Sequence, residues 1–99
     1  MLKGNEEALQ LLVQSIEEAG YKPGENVFLA LDVAATELFA DNKYTWEGQK
    51  ISGSDLIAVY KKWSEKYPLL SIEDGFSEDD WSSWKAMTAQ MGQRIIVML

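Results

Sequence analysis

Three short apolar runs constrain the fold of this chain more than any other feature of its sequence. They are VFLALD (residues 27–32), LLSIE (69–73) and RIIVM (94–98), and longer mixed segments separate them. A continuous apolar run is typical of a strand that is covered on both faces, as in a parallel sheet. Because the segments between the runs include helical spacing, we predict an α/β fold with right-handed crossovers and three mainly parallel strands.

The first helix and a small hairpin are predicted around the first run. The helix covers residues 5–19, with Asn5 as its N-cap and Gly20 as a left-handed C-cap. Its apolar stripe consists of Leu9, Leu12, Val13 and Ile16. After the run, FADNKYTW (residues 39–46) predicts a hairpin, because Asp41-Asn42 tolerates the positive φ of a tight turn.

Two more helices flank the second run. Ser52 and Asp55 form a capping box that opens the second helix, and Pro68 ends it. Ser77, with Asp80 three residues later, is predicted to cap the third helix. The residues expected to face inward from that helix are Trp81, Trp84 and either Met87 or Thr88.

Composition excludes several classes of chemistry. The 99 residues fit one small domain or a piece of a larger one, and they contain neither cysteine nor histidine. Disulfides, thiolate catalysis, histidine-based triads and the HExxH zinc motif are therefore impossible within this chain. The net charge of −7 argues against nucleic-acid binding, because phosphate would be repelled, whereas clustered carboxylates suit divalent cations. No apolar run is long enough to span a membrane, and we expect a cytoplasmic protein.

Two acids occupy corresponding strand ends. Asp32 ends the first run and Glu73 ends the second. The carboxyl ends of parallel strands share one edge of the sheet, where neighbouring strands lie ~4.8 Å apart. Two carboxylates at that spacing repel each other unless a cation or hydrogen-bond donors lie between them. A divalent metal site is one interpretation; the other is that each acid caps the next helix or faces water.

Other acids carry weaker signals. Glu78, Asp79 and Asp80 are interpreted as a solvated first helical turn, where acids suit the positive end of the helix dipole. Loops counted from Asp41 or Asp74 lack the closing glutamate of an EF-hand.

Longer motifs identify a family. The stretches FLALDVAATELF and YPLLSIEDGFSEDDWSSWKAMT closely resemble enolase, the phosphopyruvate hydratase of glycolysis, and the likeness extends back through LKGNEEALQLLVQSIEEAGYKPGE. The resemblance covers nearly the whole chain. It implies partial barrel-like βα units, so that residues 1–99 form a single truncated segment of the C-terminal barrel domain.

The resemblance also implies a magnesium site and a substrate. Enolases dehydrate 2-phosphoglycerate to phosphoenolpyruvate with Mg²⁺ held by three strand-end carboxylates. Two of these match Asp32 in LALDVAATE and Glu73 in SIEDG. The third would follow RIIVML, and the chain ends at Leu99 before another acid. The family's catalytic lysine and active-site histidine also have no counterpart here.

Neighbouring residues receive supporting roles. Glu37 is interpreted as a structural hydrogen-bond acceptor rather than a direct participant. Asp74 is expected to support the metal ligands without binding the metal itself, or to orient the loop. Thr36 stands where the family has a small hydroxyl residue, and we expect it to pack or to hydrogen-bond.

These considerations lead to expectations about metal binding, activity and association. The chain alone is expected to bind Mg²⁺ weakly and to lack dehydratase activity. Exposed strand edges favour self-association, and rearrangement into a smaller α/β layer is the alternative. The rival class is a non-catalytic interaction or scaffold module derived from enolase sequence, and an incomplete gene or a deliberately cut piece is a third possibility.

Overall fold

The structure is a computed structural model that describes residues 4–92 and 95–98. The helices within those residues are α1 (Asn5–Glu18), α2 (Gly53–Lys66) and α3 (Trp81–Met91), with a 3₁₀ turn over Ala35–Leu38. The strands are β1 (Leu29–Asp32), β2 (Phe39–Ala40), β3 (Lys43–Trp46), β4 (Gln49–Ile51), β5 (Leu69–Glu73) and β6 (Ile96–Met98). None of the helices in these ranges has the length and apolar character that crossing a bilayer requires.

A parallel sheet with the order β1-β5-β6 confirms the predicted α/β fold. Its middle strand, β5, has the predicted bounds of the LLSIE run. The first run is shorter than expected, because the ladder begins at Leu29 while Val27 forms an isolated bridge with Pro23. In the third run the strand begins at Ile96, and Arg94 lies outside the described residues.

The expectation that both sheet faces are covered is wrong. One face carries Ile72, which is fully buried, and Leu31 and Val97, which pack against the core. The other face leaves four large side chains about half-exposed, namely Phe28, Leu70, Ile96 and Met98. A continuous apolar run does not show whether the core covers one face of a strand or both. The prediction from these runs therefore overestimated how much of the sheet is buried.

An irregularity in the ladder explains why Leu70 is exposed beside a buried neighbour. Leu29 pairs with Leu69, but the next pair joins Ala30 to Ser71, so β5 carries one extra residue. Such a bulge disturbs the regular alternation of side chains and bends the strand. Leu69 therefore remains in the core while Leu70 faces outward.

The predicted hairpin is confirmed and extends by one strand. Strands β2, β3 and β4 form an antiparallel sheet. Both of its turns, Asp41-Asn42 and Glu47-Gly48, have positive φ at each central residue, as the type I′ hairpin turn requires. The sequence did not reveal β4, because its three residues, QKI, are short and largely polar.

Aromatic rings join the antiparallel sheet to α2, α3 and the loop after β5. Tyr60 and Phe76 meet edge-on at 5.5 Å between ring centroids, and Phe76 meets Trp84 at 5.6 Å. Trp46 packs on Trp63 at 5.8 Å. Large rings bury much apolar area, and such edge-to-face pairs add about 0.5–1.5 kcal/mol each. This cluster therefore supplies much of the core on the covered side of the parallel sheet.

The termini of the first two helices follow the predicted chemistry except at Asn5. The Ser52–Asp55 capping box forms with both of its hydrogen bonds. Gly20 follows α1 with φ of 90°, and its N–H donates to the Glu17 carbonyl, as in a left-handed C-cap. The N-cap prediction for Asn5 is wrong, because Gly4 holds that position. Within the predicted stripe, Leu9 is buried whereas Leu12 is half-exposed.

The third helix begins later than predicted. Asp80, not Ser77, is its N-cap, and its carboxylate accepts from the Ser83 N–H. Met87 is buried as expected, and Trp84 packs against the core. Trp81 was expected to face inward, but 77% of its surface is exposed. Since the helix starts at Trp81, this side chain lies at the outer end of the first turn rather than over the core.

An ion pair connects the first two helices. Lys66 donates to Glu6 at 2.7 Å, and the Tyr67 hydroxyl donates to the same carboxylate oxygen at 2.8 Å. These hydrogen bonds, from Lys66 first and Tyr67 second, lower the pKa of Glu6 from 4.5 to about 2. Both side chains remain partly exposed, so solvent weakens the pair.

We expect Glu6→Gln to destabilise the chain at pH 7 and to lose this effect in acid. A lowered folded-state pKa stabilises above the unfolded value of 4.5, and that contribution disappears as pH falls towards about 2. Thermal unfolding of both proteins between pH 2 and 7 measures the difference. Glu17→Gln, on the same helix, serves as the control, and a difference independent of pH would contradict the assignment.

Candidate metal centre

The two predicted strand-end acids lie side by side. Asp32 and Glu73 are partners in the parallel ladder, and Met98 continues the same row on β6. Both carboxylates are exposed and belong to the uncovered face of the sheet. Adjacent parallel strands are ~4.8 Å apart. The structure thus brings the two acids together at one edge, while their role as metal ligands stays a prediction.

Backbone amides join the β1 end to the β5 end at two points. The Val33 N–H donates to the Glu73 carbonyl at 3.0 Å, and the Ala35 N–H donates to the Asp74 carbonyl at 3.0 Å. Between them, the Ala34 N–H donates to Asp32 Oδ1 at 3.2 Å. One oxygen of Asp32 is therefore held by its own loop, which fixes the direction of the carboxylate.

Asp74 and Thr36 extend this connection. The Asp74 N–H donates to the Met98 carbonyl at 2.8 Å, and the Thr36 hydroxyl donates to Asp74 Oδ1 at 3.3 Å. The hydrogen-bonding role expected for Thr36 is confirmed. Glu37 is exposed, and the acceptor role of its side chain stays a prediction.

A groove opens beside Asp32. Its volume is about 370 Å³, and α1, β1 and the β3–β4 turn form its walls. Its lining includes the apolar residues Leu9, Leu31 and Trp63 together with the acidic residues Asp32 and Glu47. Asp32 therefore borders a recess large enough for a small molecule.

The acids at 78–80 do not behave as one group. Glu78 and Asp79 are exposed, as predicted, but all three precede α3 rather than forming its first turn. Asp80 is half-buried, and the prediction that it faces water is wrong. Burial acts to raise its pKa, but hydrogen bonds from Ser83, Tyr44 and Ser82 outweigh burial and lower the pKa. The Asp80 carboxylate thus joins the loop to Tyr44 and to the start of α3 by accepting hydrogen bonds.

Tyr44 is the central residue of that loop, and sequence reasoning missed it. Its buried hydroxyl donates to Asp80 Oδ2 at 2.8 Å and accepts from the Ser77 N–H at 2.8 Å. Burial and the nearby Asp80 charge raise the pKa of the hydroxyl, so it stays protonated. Its only sequence signal was its place in the predicted hairpin, since both partners lie over thirty residues away.

The donor set at the strand ends suits a hard cation. Carboxylate oxygens are the ligands that Mg²⁺ prefers, and Mg²⁺ keeps several waters when protein ligands are few. Across residues 4–92 and 95–98, no cluster of three or more acidic, histidine or cysteine side chains is placed to hold a metal. The strand ends therefore offer two neighbouring carboxylates.

Comparison with known proteins agrees with the sequence motifs. The model of a family described as "Enolase, C-terminal TIM barrel domain" matches residues 1–98. The enolase of Bdellovibrio bacteriovorus is 64% identical over 91 residues. That match covers 92% of this chain but 22% of the relative, so the chain spans about a fifth of the length of the curated relative.

We expect Tyr44→Phe to destabilise the chain by about 1–3 kcal/mol, because the buried Ser77 N–H and Asp80 Oδ2 both lose a partner. Urea unfolding measures the change in the free energy of unfolding. Tyr21→Phe is the matched control, since Tyr21 is largely exposed. Equal stability of the two variants would show that the hydroxyl is dispensable.

Proposed function

Because the chain belongs to the enolase family and matches its C-terminal barrel domain, we propose that Asp32 and Glu73 are two ligands of the family's magnesium site. The observation that supports this most directly is their pairing in register at the carboxyl ends of β1 and β5. Parallel sheets and barrels carry their sites at this end.

The residues present fit a magnesium ion in chemistry and in placement. Both offer exposed carboxylate oxygens on one face of the sheet, and Asp32 is already oriented by the Ala34 N–H. Mutual repulsion at this spacing is relieved by a cation between them. Two protein ligands alone leave most of the coordination shell to water, and we propose weak binding for this chain by itself.

The activity proposed for the whole site is the dehydration of 2-phosphoglycerate to phosphoenolpyruvate. Bound Mg²⁺ supplies positive charge where the substrate carboxylate gains negative charge. Asp32 and Glu73 would hold and orient that cation at the strand ends. A cytoplasmic location is part of the same proposal, in keeping with a glycolytic reaction.

Catalysis by the 99-residue chain alone is not part of the proposal. The chain contains no histidine, and the resemblance assigns no residue of this sequence to the lysine base. General acid–base groups contribute roughly 10²–10⁴-fold each, so a segment that holds only metal ligands lacks the agents of proton transfer. We therefore propose a metal-binding segment without dehydratase activity of its own.

Magnesium binding distinguishes the two predicted ligands from other acids. We expect Asp32→Asn and Glu73→Gln each to weaken Mg²⁺ binding about tenfold or more, because a +2/−1 contact at ~2 Å is worth roughly 4 kcal/mol before desolvation. Titration of Mg²⁺ followed by backbone amide chemical shifts gives the dissociation constants.

Glu78→Gln is the matched control, since it makes the same chemical change at an exposed acid five residues away. Identical curves for the wild type, Asp32→Asn and Glu73→Gln would refute the site. Turnover of 2-phosphoglycerate by the purified chain would refute the proposal that it is inactive alone.

Self-association is a second candidate function, which the uncovered face of the sheet favours. That face carries Phe28, Leu70, Ile96 and Met98, all about half-exposed. Among the residues that the structure describes, no strand pairs with the outer edges of β1 and β6. Unpaired edges and contiguous apolar surface both promote pairing with another chain. We propose a second copy of this chain as the partner.

We expect Ile96→Lys to lower the average mass of the chain in concentrated solution, because a charge on the uncovered face opposes its burial. Light scattering across a dilution series measures this mass. Leu11→Lys makes the same kind of change at an exposed leucine of α1, away from the sheet. A monomeric wild type at all concentrations would dismiss this candidate.

A further inference from the structure

We propose that Asp74 is the positioning residue that sets the spacing of the Asp32 and Glu73 carboxylates, and that it acts through Thr36 and the backbone rather than by touching the cation. This inference rests on the proposed metal site. Its basis is the convergence of three strand ends on one residue, for which the sequence left two roles open.

Main-chain hydrogen bonds place Asp74 between the three strands. Its carbonyl accepts from Ala35, just beyond β1, and its N–H donates to Met98 at the end of β6. It directly follows Glu73 in β5. A change in the conformation of Asp74 would therefore be transmitted to both neighbouring strands and to the Glu73 side chain beside it.

The backbone at Asp74 is in the left-handed region, with φ of 50°. Short polar residues such as Asp and Asn enter this region more readily than other non-glycine residues. The left-handed turn ends the extended ladder immediately after Glu73. The last carboxylate of the strand is thereby held at the end of the sheet, and the chain turns away from it.

The side chain adds the connection to β1. Thr36 donates its hydroxyl to Asp74 Oδ1 at 3.3 Å, and Thr36 lies on the 3₁₀ turn that follows Asp32. Together with the Ala35 N–H, it joins the same short segment to Asp74 through both backbone and side chain. The distance between the Asp32 loop and the β5 end is therefore fixed at two points.

The residue after Asp74 is anchored in the core. Tyr60 is fully buried, and its hydroxyl donates to the carbonyl of Gly75 at 2.7 Å. The turn that follows Glu73 is therefore held on its far side as well, and Asp74 lies between this anchor and the strand-end acids.

Four variants test this role with Mg²⁺ alone as the probe. Asp74→Ala removes the acceptor, and we expect a roughly tenfold rise in the Mg²⁺ dissociation constant, as for other residues that orient metal ligands. Thr36→Val removes the donor and should weaken binding several-fold. Asp74→Asn and Thr36→Ser each retain the hydrogen bond, so their Mg²⁺ dissociation constants should stay within about threefold of the wild-type value. A change of that size is what the loss of one distant charge in water explains for Asp74→Asn.

The readouts separate positioning from stability and from charge. Amide titrations give the dissociation constants, and urea unfolding gives the stability of each variant under the same conditions. The proposal is supported if Mg²⁺ affinity is lower in Asp74→Ala and Thr36→Val but close to the wild-type value in Asp74→Asn and Thr36→Ser. Equal losses in Asp74→Asn and Asp74→Ala would overturn it, because the charge would then act directly.

Failure of the proposal differs from failure of the metal site itself. If Asp32→Asn and Glu73→Gln weaken binding while Thr36→Val and Asp74→Ala do not, the site stands and the positioning role is wrong. If none of the four changes affects binding, the proposed magnesium site is wrong as well. A double variant of Thr36→Val and Asp74→Ala should bind no more weakly than Asp74→Ala, since both remove one connection.

Discussion

The parallel pairing of β1 with β5 is the constraint on which the rest of the structure depends. Its register sets Asp32 opposite Glu73 and directs both to the same face. Because side chains alternate along a strand, moving the pairing by one residue would send one acid to the core side. The ladder holds this register because Leu31 and Ile72, on the other face, pack into the core. Burial on one side of the sheet thus determines the chemistry on the other.

The two faces of the sheet differ in how their polar groups are satisfied. On the core side these groups need hydrogen-bond partners from the protein, whereas on the uncovered side they contact solvent. On the core side, Tyr44, Tyr60 and Trp84 donate to the loop after β5 and leave none of its described, buried side-chain polar atoms without a partner. On the uncovered side, the strand-end acids keep oxygens exposed to solvent. Acids close together in sequence therefore have different environments, since Asp80 is partly buried and accepts several hydrogen bonds whereas Glu73 is exposed to solvent.

The sequence could predict elements whose signals are local. The Ser52 capping box, the Gly20 C-cap and the bounds of β5 depend on residues within a few positions of one another, and all three are confirmed. The pairing of Asp32 with Glu73 also followed, because strand order and direction were derivable from the alternation of runs and helices. The magnesium assignment came from resemblance to a family, not from spacing.

The failures share a different cause. The N-cap at Asp80 depends on Tyr44, which lies far away in the chain, and nearby residues made Ser77 an equally suitable cap. The exposure of Trp81 and of Phe28 depends on which side of a helix or strand packs against the core. The hydrophobicity of a residue does not predict that side. The bulge at Leu70 arises from a pairing offset between two strands, which neither strand reveals by itself.

Two residues at the strand ends, Ala34 and Asp74, combine a side chain with a left-handed backbone, at φ of 53° and 50°. For a residue like alanine this conformation costs about 1–2 kcal/mol compared with the right-handed one. Glycine would remove that strain but would leave the loop with more freedom in the unfolded chain. At these two positions, relief of strain in the folded state is therefore offset by greater conformational entropy in the unfolded chain.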